Sequence, residues 1–231
     1  MPKNFYDKLP AKYKSKARNP NYKVHKIKVP FRMIIIGGSG SGKTNTLLDL
    51  VSKFKNTFNH LIICTMNSDE PLYNYLRERL GAKVTFYENG EVPDLEELEA
   101  KHGKGKQLLT AFDDLVLSNQ KAIEDFFIRA RKICGGISCV YLTQSYFEVR
   151  KLIRLQCNYV VCKKLSSKKD LKLIVKEYQL SEDIDKVMRV YEDVVGCGFT
   201  DFFMIDLETN EPKDRFRKNY SPIRTFPRRL E

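Results

Sequence analysis

The run Gly37-Gly38-Ser39-Gly40-Ser41-Gly42-Lys43-Thr44 directly follows four apolar residues, Met33-Ile34-Ile35-Ile36, and directly precedes Asn45-Thr46-Leu47-Leu48. This is G-x-x-x-x-G-K-[ST] set between a buried strand and a helix, the context in which the pattern carries physical meaning. Glycines let the chain turn so that successive N–H groups face a phosphate, and the helix start adds the positive end of its dipole. Residues Gly37 to Asn45 are therefore the expected nucleotide-binding loop. Lys43 is expected to reach the β- and γ-phosphates of ATP, and the Thr44 hydroxyl to ligate Mg²⁺.

Around this loop, short apolar runs alternate with helical periodicity, the mark of a mostly parallel sheet covered by helices. Strands are predicted over Phe31 to Ile36, Leu61 to Thr65, Lys83 to Tyr87, Leu108 to Phe112, Ile137 to Thr143, Tyr159 to Lys163 and Phe199 to Asp206. Helices are predicted over Lys43 to about Phe54, Pro71 to Leu80, Asn119 to Ile133, Lys168 to Tyr178 and Ser181 to Tyr191. In the third helix Ile123, Phe126, Phe127 and Ala130 share one apolar stripe, with Arg129 and Arg131 on its flanks. The chain has 231 residues, 42% apolar and 30% charged, enough for one sizeable core. No apolar run approaches the ~20 residues of a membrane helix, and the basic, polar N-terminus has no signal core, so an intracellular protein is expected. The six cysteines include no Cys-x-x-Cys pair and read as reduced core thiols rather than as a zinc site.

A nucleotide loop also needs a carboxylate for magnesium at the end of a buried strand. Leu108-Leu109-Thr110-Ala111-Phe112-Asp113-Asp114 supplies two. Adjacent acids at an apolar tip repel unless a cation compensates them. Asp113 is assigned to Mg²⁺ and Asp114 to polarising the attacking water. The run Ile137 to Thr143 ends in a second polar tip, Gln144. Beside the nucleotide-loop strand, Gln144 would reach the γ-phosphate or the lytic water.

The net charge of +12 is concentrated. Residues 1–32 hold ten Lys/Arg against Asp7 alone, and residues 212–231 hold seven against two acids. The interior is close to neutral, yet residues 129–176 carry twelve basic residues against only Glu148 and Asp170. Basic tails beside a basic segment fit a polyanionic partner, because each neutralised phosphate releases a counterion. Tyr6, Tyr13 and Tyr22 interleave with lysines in the N-terminal arm, where they suit base stacking or packing on a neighbour. The expected division is a basic arm (1–30), an ATPase domain (31–211) and a basic C-terminal tail (212–231).

Three motifs together, IIIGGSGSGKT, LLTAFDDL and FIRARKICGGISCVYLTQSYFEVRKLIRLQCNYVV, resemble the FtsK–HerA superfamily of ring ATPases, and within it the poxvirus-type virion DNA-packaging ATPases. The resemblance spans about residues 31–207. It implies an α/β P-loop NTPase fold of the additional-strand, RecA-like kind, a three-layer sandwich with a mostly parallel central sheet in which the Gln144 strand lies between the nucleotide-loop and Asp113 strands. It also implies a homo-oligomeric ring that drives double-stranded DNA into a capsid in the host cytoplasm or viral factory, docked on a capsid protein or vertex. The family presents an arginine to the neighbouring subunit's ATP. Arg131 matches best and Arg129 second, in Ala130-Arg131-Lys132 where relatives often have Gly-Arg-His. Arg150, Lys151, Arg154, Lys163, Lys164, Lys168 and Lys169 are then expected to grip the DNA backbone. Two other readings use the same motifs: a nucleotide or small-molecule kinase with Lys163 to Lys176 as a basic lid, and a nucleotide-gated DNA- or capsid-binding module with little turnover.

Overall fold

The structure, a computed structural model, describes residues 3–10, 17–118, 120–180 and 183–223. The expected helix starts Asn119 and Ser181, the arm residue Tyr13, the side chain of Tyr6 and the chain beyond Ile223 lie outside the described residues. In chain order the elements are α1 (Tyr22–His25), β1 (Arg32–Ile36), α2 (Lys43–Lys53), β2 (His60–Thr65), α3 (Pro71–Leu80), β3 (Val84–Tyr87), α4 (Leu95–His102), β4 (Leu108–Asp113), α5 (Gln120–Arg129), β5 (Ile137–Thr143), α6 (Lys151–Leu155), β6 (Tyr159–Cys162), α7 (Lys168–Glu177), α8 (Ile184–Gly196), β7 (Phe203–Asp206), β8 (Phe216–Lys218) and β9 (Ser221–Pro222).

Among the described residues the strands form one sheet, ordered β3-β2-β4-β5-β1-β6-β7-β8-β9. The first six in that order run parallel and the last three antiparallel. β1 pairs with β5 on one side and β6 on the other, so β5 stands between the nucleotide-loop strand and the Asp113 strand, as expected. Alternate strand residues face opposite layers. Met33, Ile35, Ile63, Val140 and Leu142 pack with Leu47, Leu50, Tyr73 and Leu76 of α2 and α3. Ile34, Ile36, Phe112 and Tyr141 face Phe126 and Phe127 of α5, Ile174 of α7 and Val187 of α8. The three-layer arrangement is thus written in strand residues buried on both faces.

Arg32 is completely buried at the start of β1. Its Nε donates to Phe127 O at 2.9 Å and its Nη1 to Phe31 O and Ile137 O at 3.0 and 2.7 Å. A guanidinium at the last turn of α5 meets the negative end of that helix's dipole and ties the helix to β1 and β5. Three helices were not expected, the first being the single turn α1. α4 buries only Leu95 and Leu98 and begins at Asp94, whose side chain accepts from Glu96 N–H at 2.8 Å; with two apolar positions it has almost no periodic signal. α6 spans a single turn and a half. α5 ends at Arg129, and a 3₁₀ turn (Ala130–Lys132) replaces the rest of the expected helix. The strand expected from Phe199 begins only at Phe203.

Both expected tail boundaries move. Phe216–Lys218 pairs with β7 and Ser221–Pro222 with β8, so the segment from 212 to 223 belongs to the sheet rather than to a free basic tail. The side chain of Arg217 turns inward to ion-pair with Asp206, both 4% exposed, and donates to the carbonyl oxygens of His25 and Lys26 at 3.4 and 3.2 Å. The arm is likewise built in from Arg18 onward: the Arg18 N–H donates to Gln107 Oε1 at 2.5 Å, and Ile27 is fully buried.

His25 is completely buried, its ring 4.0 Å from that of Phe54 and its Nδ1 accepting the Ile27 N–H at 3.0 Å. Burial, with the Arg217 charge adding to it, pushes its pKa down to about 4. The unfolded chain therefore takes up this proton first, near pH 6.5, and stability is lost as pH falls from there toward 4. By pH 5 the loss from this residue is expected to reach about 2 kcal/mol. Denaturant titrations at pH 7.5 and pH 5 should show it, and His25→Phe, which keeps the stack on Phe54, should flatten that dependence.

Candidate active site

Every parallel strand delivers its C-terminal end to one edge of the sheet, and the site lies there. Main-chain bonds clamp the end of β1 on both sides: Gly37 N–H donates to Thr143 O of β5 at 3.2 Å, and Lys163 N–H donates to Ile36 O at 2.7 Å. Gly38 N–H donates to Lys164 O at 3.0 Å. The clamp leaves no room for a side chain at the first glycine, where a Cβ would fall 2.6 Å from the Cβ of Lys163. Gly42, at φ +88°, turns the chain into α2. The first N–H groups of α2 have no intrahelical acceptor, as at any helix start, and no side chain caps them.

Lys43 Nζ donates to Gly37 O at 2.9 Å and to Gly38 O at 3.4 Å, so the ammonium lies along the loop it is expected to serve. Burial lowers its pKa, opposed by the nearby charges of Asp114, Asp113 and Glu70. Ser41 Oγ is buried in the loop without a hydrogen-bond partner. Free helix-start amides, a lysine and an unsatisfied hydroxyl form a donor set suited to phosphate oxygens.

Asp113 ends β4, and its Oδ2 accepts a hydrogen bond from the Tyr73 hydroxyl at 2.5 Å. Burial raises the pKa of Asp113; the Tyr73 bond and Lys43 counter it, while Glu70 and Asp114 reinforce it. Tyr73 is fully buried on α3, so its hydroxyl depends on Asp113 for a partner. Sequence reasoning missed Tyr73. Its only signal was a tyrosine in the apolar stripe of α3 with Leu76, a place where a buried hydroxyl needs a polar partner.

Asp114 adopts φ +53°, which Asp tolerates better than most residues, with its N–H on Leu142 O at 3.1 Å. The turn aims its carboxylate along β5, and Gln144 Nε2 donates to Asp114 Oδ2 at 2.8 Å. The two polar tips read from sequence therefore meet. Among the described residues no group of three or more His, Cys, Asp or Glu could hold a metal. A hydroxyl and one carboxylate beside a phosphate-binding loop instead suit magnesium, which takes few protein ligands and completes its shell with water and phosphate oxygens.

The other expected residues separate. Arg129 ion-pairs with Glu96 at 2.5 Å, and Arg131 donates to Asn158 Oδ1 at 3.1 Å. Asn158 Oδ1 also accepts the N–H of Arg32 at the start of β1, so both arginines stand at the sheet edge opposite the nucleotide loop. Two of the expected DNA-gripping residues are internal. Lys163 is 1% exposed and donates to Phe199 O and Asp201 O at 2.6 and 2.8 Å. Arg154 pairs with Glu177 at 3.3 Å, both largely buried, and lies over the Tyr146 ring. Arg150 pairs with Glu124 at 3.0 Å, and Lys168 with Glu192. Lys151, Lys164 and Lys169 are exposed. The basic lid of the kinase reading also loses its first lysine to the interior.

Tyr73→Phe removes the donor to Asp113 and leaves a buried carboxylate short of a partner. It is expected to lower the unfolding free energy by about 1–3 kcal/mol, read by chemical denaturation.

The family described as "Poxvirus A32 protein" matches residues 21–196. The "DNA packaging protein OPG160" of monkeypox virus is 25% identical over 202 residues, which cover 74% of this chain and 65% of that protein. The protein of the same name from vaccinia virus (strain Copenhagen) is 25% identical, with 74% of this chain and 72% of that protein covered. The chain thus takes in about two thirds of the length of these relatives. Among solved structures, the genome packaging NTPase B204 from Sulfolobus turreted icosahedral virus 2 in complex with AMP has the same fold, at a TM-score of 0.59 and 15% identity over 85% of this chain and 100% of that one.

Proposed function

Because this chain belongs to the Poxvirus A32 protein family, we propose that it is an ATP-hydrolysing translocase that packages double-stranded viral DNA into a capsid as a homo-oligomeric ring. The carrying observation is the meeting of Asp114 with Gln144 beside the loop of Lys43, which puts a base and its orienting amide on strand tips next to a phosphate site. The relatives' printed names, a DNA packaging protein and a genome packaging NTPase, support the same reading.

In this mechanism the helix-start amides of residues 43–45 and the Lys43 ammonium hold the phosphates of ATP, and Thr44 and Asp113 would hold magnesium. Bound there, Mg²⁺ supplies charge neutralisation on the β- and γ-phosphate oxygens. Asp114 takes the proton of the attacking water, and Gln144 orients that carboxylate through their shared hydrogen bond. Hydrolysis changes what the Asp114–Gln144 pair faces, and Gln144 leads directly into the segment from Ser145 to α6. Arg131 acts on the neighbouring subunit's ATP, since its own nucleotide loop lies at the far edge of the sheet. Lys151, Lys164 and Lys169, with the basic chain termini, contact DNA phosphates without reading bases. The ring docks on a capsid protein or vertex. No described helix is long and apolar enough to cross a membrane.

Duplex DNA is expected to stimulate release of free phosphate from ATP, with stimulation falling steeply between about 50 and 200 mM salt. A phosphorylated acceptor in place of free phosphate would mark a kinase, and turnover indifferent to DNA at low salt would overturn the motor. Asp114→Asn should keep nucleotide affinity while kcat falls about 10²- to 10⁴-fold. Arg131→Ala alone should also be slow. An equimolar mixture of the two variants should regain turnover, because some subunit boundaries then combine an intact Asp114 with an intact Arg131. Without that recovery Arg131 is not the shared residue.

A further inference from the structure

We propose that the adenine of ATP stacks on Phe199, and that the ribose and base edge enter the adjoining cleft between α2 and the β7–β9 edge of the sheet. This rests on the reading of residues 37–45 as the ATP loop and adds the subsite that distinguishes a nucleoside triphosphate from bare polyphosphate.

Phe199 is 64% exposed, so much of its ring is open to a ligand. The ring lies against the start of α2: a Cβ added to Gly42 would fall 2.8 Å from its Cζ. Its backbone is anchored. Lys163 leaves the end of β6, where it is buried, and donates to the carbonyl oxygens of Phe199 and Asp201 on both sides of the turn. An ammonium buried to hold two loop carbonyls forgoes hydration that an exposed lysine keeps, so the loop is held in place at a cost. Burial accordingly lowers the Lys163 pKa.

Thr200, the residue after Phe199 in the chain, lines a cleft of about 520 Å³, a size suited to a small ligand. Its lining includes Asn45 and Asp49 of α2 and Thr200, Phe202, Asn219 and Tyr220. Asn45 is the last of the residues expected to hold the phosphates and also lines the cleft, so the cleft continues the path from phosphate to sugar. The far wall is braced: the Tyr220 hydroxyl donates to Asp49 Oδ2 at 3.0 Å, Asn219 Nδ2 donates to Asp201 Oδ1 at 2.8 Å, and Asn219 Oδ1 accepts the Phe202 N–H at 2.9 Å. The Tyr220 and Phe202 rings meet edge to face at 5.4 Å. Asp49 and Asn45 offer acceptors for ribose hydroxyls, while the base rests on Phe199.

The test compares ATP with inorganic tripolyphosphate as competitors of a fluorescent ATP analogue on the full chain. For the unaltered protein both should displace it. Phe199→Ala should weaken ATP about tenfold or more and leave tripolyphosphate within about twofold, the size expected for loss of one base–aromatic stack. Phe199→Trp should retain ATP affinity, and its indole emission should fall on addition of ATP but not of tripolyphosphate. Unchanged ATP affinity in Phe199→Ala, or equal weakening of both ligands, overturns the stacking subsite while leaving the ATP loop intact. If the unaltered protein binds neither ligand, the ATP loop itself fails and the subsite with it.

Discussion

The end of β1 is gripped by its two neighbours through main-chain bonds alone, from Gly37 to Thr143 and from Lys163 to Ile36, and the rest of the site follows from that grip. A strand buried on both faces can change direction at its tip only if the backbone bonds are met by adjacent strands and no side chain intrudes. Once β1 is held in this way, the tips of β4, β5 and β6 are aligned with it. Asp113, Asp114, Gln144 and Lys163 then stand around the start of α2 without any loop having to reach for them.

The carboxylate pair divides its work by environment. Asp113 is turned toward the interior, where Tyr73 donates to it and burial raises its pKa; Asp114, one residue on and at positive φ, is exposed and bonded to Gln144. A single left-handed residue separates a group suited to a fixed cation from one suited to a mobile water. Tyr73 holds Asp113 through its hydroxyl, so α3 is part of the site although no sequence motif marks it.

The basic residues sort in the same way. Arg32, Arg154, Lys163 and Arg217 are structural cations, each spending its charge on carbonyl oxygens or a buried carboxylate inside the fold. Lys151, Lys164 and Lys169 keep theirs in solvent. Net charge by segment reported the excess correctly but not which ions face water, because a two-residue change in strand length or a turn of a helix decides that.

The nucleotide loop, the two acids, Gln144 and the seven main strands were all legible in the sequence, because each is a local pattern: glycine spacing, an apolar run with a polar tip, alternation of strand and helix. The additional strand between β1 and β4 came from the resemblance and is present in the sheet. Legibility failed where the defining contact is distant in sequence. Phe216-Arg217-Lys218 reads as a charged tail until Asp206 and the carbonyls of His25 and Lys26 are seen around Arg217. Tyr73 reads as one more apolar helix residue until Asp113, forty positions on, is found at its hydroxyl. Lys163 reads as a surface cation until the turn at Phe199 closes over it. The sequence by itself determined the local shape of the turn from β1 into α2, since glycine spacing sets local dihedral angles. Only the tertiary structure decided which side chains surround that backbone, since burial and pairing depend on strands that meet from opposite ends of the chain.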